Sequence, residues 1–216
     1  MSISSHKSSP KKTRAVQAPQ RSNGKLRVAA ILEGAAAVIA EKGYEGATMA
    51  EIAARSGTKI GSLYRFFPNK ESLADTMLVS ARESLDVIFD RFDTGVNALS
   101  IRALADDLLA LIFELLAKFA FVKLLDAKDW SVKPAEFRGA LQQRIAKTLM
   151  IHTPSLSKKP AADIALVILL NVKSVVTHQA FFNASSSVLE EFRDMTRLYL
   201  KSRLGSSTSG KKGIPS

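Results

Sequence analysis

The chain of 216 residues has no cysteine, which excludes a disulfide scaffold, a thiolate metal site and a cysteine nucleophile, and fits a reducing compartment. Histidine is almost as scarce. His6, His152 and His178 stand far apart, with none of the spacings that hold a catalytic metal, such as HExxH. There is also no glycine-rich phosphate loop, no nucleophile elbow and no acid-base pair at a strand end. An enzyme therefore has no motif to rest on, and no cofactor or metal is expected. Long apolar runs are missing too. The most apolar stretch, residues 161–182, is broken by Asp163, Asn171, Lys173 and His178, so it reads as a buried helix rather than a membrane span. The Ser-, Lys- and Pro-rich start lacks the apolar core of a secretory signal. A cytoplasmic protein without membrane contact is the expectation.

What is present is enough apolar content, 46% of residues, to build a core at this length. Apolar residues recur at helical spacing almost throughout, and no stretch alternates with period two for long. The net charge of +11 is uneven. Lys7, Lys11, Lys12, Arg14, Arg21, Lys25 and Arg27 occur in the first thirty residues without an acid, and Lys211 and Lys212 follow near the other end. Such an arm beside a DNA-binding element suggests phosphate or minor-groove contact. The same composition also describes a solvated leader that only maintains solubility. Residues 1–22 and 205–216 are expected to be disordered.

Between these ends, residues 48–70 read TMAEIAARSGTKIGSLYRFFPNK. Thr48 with Glu51 forms a capping box that opens a helix. Met49, Ile52 and Ala53 continue it at helical spacing, and Ser56, Gly57 and Thr58 end it in a turn. A second helix then spans residues 59–66, since Pro68 forbids much more, and Asn69 caps a third with Lys70 on its first turn. Two short helices about a glycine turn make a helix-turn-helix, which presents its second helix to the DNA major groove. Residues 25–42 form a helix behind this pair, with Val28, Ile31, Leu32, Ala35 and Ile39 on one stripe and Gly43 at its end. Leu63 and Phe67 should face the core of this small domain. Lys59, Ser62 and Arg65 should be exposed, with Arg65 able to reach guanine or phosphate and Lys59 acting as a point charge. Gly61 allows a close backbone approach to the groove. Spacing alone places Ile60 on the Leu63 face.

The elements Gly43-Tyr44, Ala47-Thr48-Met49, Ile52-Ala53, Ser56-Gly57, Gly61-Ser62-Leu63-Tyr64 and Phe67-Pro68-Asn69-Lys70-Glu71 resemble the TetR family of bacterial transcription regulators. The likeness covers about the first third of the chain and departs at Thr58-Lys59, where the family commonly has a small apolar residue and then Ser. The capping hydroxyl of the second helix then comes one residue earlier or not at all. The resemblance implies an all-α fold, a homodimer on a roughly palindromic double-stranded DNA operator, and a small-molecule effector in a larger C-terminal domain. It also implies that Tyr64 contacts phosphate, that Thr48 and Lys70 clamp the DNA backbone, and that Ile60 belongs to the DNA-facing set, where it meets a thymine methyl.

The expected organisation is then a helix-turn-helix domain at residues 23–70 and a helical effector-binding and dimerisation domain at residues 71–204. A long helix from Lys70 through Leu73, Met77, Ile88 and Phe92 towards Gly95 links the two. Further helices are expected at residues 100–118, 134–151, 160–183 and 187–204, with a short segment near 119–126. Candidate effector contacts are Phe113, Phe119, Phe121 and Trp130, an aromatic group suited to walling an apolar cavity, and Asn171 and His178, seven apart on one helix. Each aromatic is as readily plain core, and the polar pair as readily an interface. Residues 161–182, apolar nearly all round, and the following face of Val188, Leu189, Phe192, Met195, Leu198 and Tyr199 suggest a four-helix seam between two copies. The leading reading is an effector-released, dimeric repressor. An all-α carrier or enzyme, and a nonspecific nucleic-acid binder driven by the arm, remain the alternatives.

Overall fold

The computed structural model describes residues 22–119, 132–182 and 186–205, with side chains described throughout except at 22, 132–134, 176–182 and 186. The described residues contain α-helices, one 3-10 turn and no strand, so the fold is all-α. The helices are α1 (Ser22–Gly46), α2 (Met49–Arg55), α3 (Ile60–Phe66), α4 (Lys70–Asp93), α5 (Ile101–Lys118), α6 (Val132–His152), α7 (Lys158–Phe182) and α8 (Ser186–Gly205). The basic arm up to residue 21, the tail from 206, and most of the segment expected near 119–126 lie outside the described residues.

The chain divides into two compact units between Met77 and Leu78, inside α4 and past the division expected at Lys70. In the first unit, Ile31, Ala35, Val38 and Ile39 of α1 share a core with Ile52 and Ala53 of α2, Leu63 and Phe66 of α3, Phe67, and Leu73, Ala74 and Met77 of α4. Each fully buried Ile, Leu or Phe contributes roughly 1.5–3 kcal/mol. Leu63, which has no exposed surface, is the residue whose truncation would loosen α3 most directly, at about 2–5 kcal/mol. Two glycines shape the path of the chain. Gly43, at φ 74°, ends the regular part of α1 where the sequence placed its stop, and Gly57, at φ 60°, makes the turn between α2 and α3.

In the second unit α6 packs on α7, α5 packs on α8, and the 3-10 turn Val96–Ala98 lies against α6. The segment of α4 in this unit buries Ala81, Leu85 and Phe89, an i, i+4 row. Ile88 and Phe92, expected on that stripe, are only half-buried, one position round the helix. Polar groups fix the end of α4: Arg144 of α6 reaches Asp90 at 2.6 Å and Asp93 at 3.4 Å, and the Thr148 hydroxyl donates to Asp93 at 2.6 Å. Ser100 caps α5 by accepting from the Ala103 amide at 3.1 Å.

Candidate nucleic-acid interface

The helix-turn-helix is assembled by local chemistry. Thr48 Oγ1 accepts from the Glu51 amide at 3.2 Å and donates to the Glu51 carboxylate at 2.8 Å, while the Thr48 amide donates to that carboxylate at 3.1 Å. This is the capping box expected from the sequence. Lys42 of α1 pairs with the same carboxylate. The Lys42 ammonium first, then the Thr48 donors, pull the Glu51 carboxyl down to about 2. Arg55 closes the far end of α2 with a two-pronged pair to Glu41, both contacts at 2.7 Å. These four charged side chains line a crevice of about 460 Å³ between α1 and α2 and neutralise one another within it.

The turn is held from behind by an approach that sequence spacing does not reveal. A Cβ built on Gly34 of α1 would lie 3.0 Å from both the Cβ and the backbone nitrogen of Ser56. Any larger residue at this position would press on the turn that aims α3, which would have to give by a few tenths of an ångström. Gly34 reads as an ordinary helical residue until the fold brings the turn across it.

One face of α3 is buried through Leu63 and Phe66, and the other carries Ile60, Gly61, Tyr64 and Arg65, all exposed. Ile60 is 44% and Tyr64 48% exposed. The ambiguity over Ile60 thus resolves to solvent: residues 60 and 64, and 61 and 65, are i, i+4 neighbours on one stripe. A Cβ built on Gly61 meets nothing within 4 Å. Ser62, expected on the exposed face, is half-buried, and its hydroxyl lies out of solvent contact without a partner among the described residues. Its position, next to buried Leu63 and two residues short of Tyr64, turns it inward. Lys59 is the N-cap residue of α3 and exposed, with no side-chain cap, so the departure at Thr58-Lys59 leaves this helix start uncapped. Among the described residues no carboxylate lies within ion-pair distance of Lys59 or Arg65, so this face carries uncompensated positive charge.

Lys70 is turned inward. Its ammonium donates to the carbonyls of Tyr44 at 2.7 Å, Ala47 at 3.1 Å and Glu45 at 3.3 Å, and sits 4.5 Å from the centre of the Tyr44 ring. Burial first, then the charges of Glu71, Glu45 and Asp75, push the Tyr44 phenol up to about 12.

Residues 31–77 match the family model described as bacterial regulatory proteins, tetR family. These residues form a TetR-family domain. Within it the motif elements seen in the sequence run from the end of α1 through α2, α3 and their connections to the start of α4. A segment of 68 residues is 41% identical to the HTH-type transcriptional repressor KstR2 of Mycobacterium tuberculosis, a match that spans 32% of this chain and 32% of that relative. The fold likeness reaches further than the TetR-family domain. A protein described as a TetR-family transcriptional regulator from Mesorhizobium loti MAFF303099 aligns over 82% of this chain and 96% of its own, with a TM-score of 0.67 at 18% identity. FadR from Bacillus subtilis, solved in complex with stearoyl-CoA, aligns over 85% of this chain and 99% of its own, with a TM-score of 0.56 at 19% identity.

Of the candidate effector residues, outside the TetR-family domain, the two described aromatics meet different neighbours. Phe113 of α5 meets Phe192 of α8 edge-on at 6.3 Å, whereas Phe119 meets Phe137 of α6 at 5.4 Å. Asn171 is half-buried on α7. Phe121 and Trp130 lie outside the described residues, as does the side chain of His178. Among the described residues no three His, Asp or Glu side chains converge to hold a metal ion, and no helix is long and apolar enough to cross a membrane. The expected seam on α8 also divides. Phe192 is buried against Phe113, while Val188, Met195 and Leu198 are exposed.

Proposed function

We propose that the protein is a homodimeric, cytoplasmic transcription regulator that binds a double-stranded DNA operator and acts as a repressor released by a small-molecule effector. The observation that carries this reading is the exposed face of α3. An apolar branched side chain, a bare backbone, a phenol and a guanidinium without a carboxylate partner among the described residues occupy one stripe of a short helix anchored from behind by Leu63 and Phe66. Arg65 suits guanine or phosphate, Ile60 a thymine methyl, Tyr64 and Lys59 the phosphates, with the backbone at Gly61 free to approach. The Thr48 hydroxyl, at the exposed start of α2, adds a phosphate contact by turning its one proton from the Glu51 carboxylate to a phosphate oxygen. The segment's likeness to a named repressor supports the direction of regulation.

The dimer is supported by apolar side chains that one copy leaves uncovered: Leu166, Val167 and Leu170 on α7, and Val188, Met195 and Leu198 on α8. Two helices from each copy would cover them in a four-helix arrangement. Two α3 helices then read half-sites about one DNA turn apart, roughly 34–36 Å. An effector in the second unit acts through α4, the helix that the two units share, by altering that spacing. Because a fold neighbour binds stearoyl-CoA, acyl-CoA thioesters are the first effector class to screen. The test is a binding titration on a duplex selected from random DNA and on its scrambled counterpart, across salt concentrations. A regulator prefers the selected duplex by a thousandfold or more, on the order known for specific binders. A nonspecific binder loses affinity equally on both.

A further inference from the structure

The inward turn of Lys70 assigns it a task other than touching DNA. The lysine stands on the first turn of α4, yet all three of its ammonium donors reach back some two dozen residues to the corner between α1 and α2, at the carbonyls of Tyr44, Glu45 and Ala47. That corner follows the left-handed break at Gly43 and leads directly into Thr48, the cap of α2. Carbonyls left by a helix that ends in a break need donors, and a cation there also meets the negative end of the helix dipole. The Tyr44 ring, itself buried, covers the ammonium from one side at 4.5 Å. An ammonium so seated has no donor left for a phosphate.

We propose that Lys70 is a positioning residue: it clamps the α1–α2 corner to the start of α4 and thereby places Thr48 and α2 for DNA binding. The inference rests on the DNA-binding reading above and assigns a part within it. The clamp also gives α4 a grip on the corner, so that a shift at the start of α4 carries Thr48 with it.

The experiment compares Lys70→Met and Lys70→Arg with the wild-type chain on the selected duplex. If the ammonium of each copy gripped a phosphate, Met would lower the slope of log affinity against log salt by about 1.8 for the dimer, whereas Arg would preserve it. A positioning role predicts the opposite pattern. Both variants lose about tenfold or more in affinity, because a guanidinium cannot aim three donors from one nitrogen, and both keep the wild-type salt slope. Thr48→Val then adds little in the Lys70→Met background, since the two residues act in series. A slope reduced by nearly two, full affinity in Lys70→Arg, or fully additive losses would each overturn the proposal. Should the wild-type chain show no preference for the selected duplex, the DNA-binding reading itself fails. Amide exchange at residues 48–51 still judges the clamp: faster exchange in Lys70→Met upholds it, and unchanged exchange removes it.

Discussion

Replacing Gly61 by alanine separates the stability of the TetR-family domain from its contact with DNA, because the two effects have opposite signs. In the free protein the new methyl meets nothing within 4 Å, so it introduces no overlap. Alanine in place of an exposed helical glycine stabilises by about 0.5–1 kcal/mol, through higher helix propensity and a less flexible unfolded chain. Because Gly61 stands in the first turn of α3, the gain should fall in the lower part of that range. On DNA the same methyl stands between Ile60 and Arg65 on the exposed stripe, where it pushes the helix backbone off the groove floor. A loss on the order of tenfold in affinity, about 1.4 kcal/mol, is expected. Urea unfolding and a gel-shift titration on the selected duplex measure the two terms. A variant that binds as tightly as the wild type would show that α3 does not approach DNA by this face. A variant that is less stable would show that a methyl at position 61 meets a neighbour in the free protein.

Gly34→Ala should do the reverse. Its Cβ would overlap the backbone nitrogen of Ser56 at 3.0 Å, so urea unfolding should show a loss of about 1–3 kcal/mol, and equal stability would show that the turn gives way freely. Glu51→Gln tests the capping box by pH. The folded carboxyl is held down at about 2 against an ordinary value of 4.5, so its stabilising effect is complete above pH 4.5 and disappears as pH falls towards 2. The melting-temperature gap between wild type and variant should therefore close across that window, and a constant gap would remove the charge from the explanation. Leu170→Glu and Leu198→Glu place a charge on faces that are 56% and 68% exposed in one copy. Each should shift light scattering to the monomer mass while keeping the helical circular dichroism, and a wild-type chain already monomeric at micromolar concentration would refute the seam.

Much of the TetR-family domain was legible in the sequence because its determinants are local. The capping box closes within three residues, Gly57 acts within one turn, and Pro68 stops α3 by its own ring. What escaped depends on residues far apart in the chain. Lys70 looks like a surface cation until the corner at residues 44–47 is brought over it, and Gly34 looks replaceable until Ser56 crosses it. Periodicity also decided less where a helix is apolar on more than one side. Ile60 fitted two faces until tertiary packing turned it outward, and Phe192, read on one apolar face with Val188 and Met195, is turned onto Phe113 instead. The effector residues were the least legible, because an aromatic that walls a cavity and one that fills a core have the same spacing.

The proposed function stands on two copies reading two half-sites through α3. The most direct measurement is the mass of the complex on the duplex enriched from a random-sequence library. The expected result is an enriched site with two related half-sites about one helical turn apart, bound by two chains or a multiple of two, and an Arg65→Ala variant that loses the preference while remaining dimeric. A library that yields no common sequence, or a single unrepeated site carrying one chain, would contradict it.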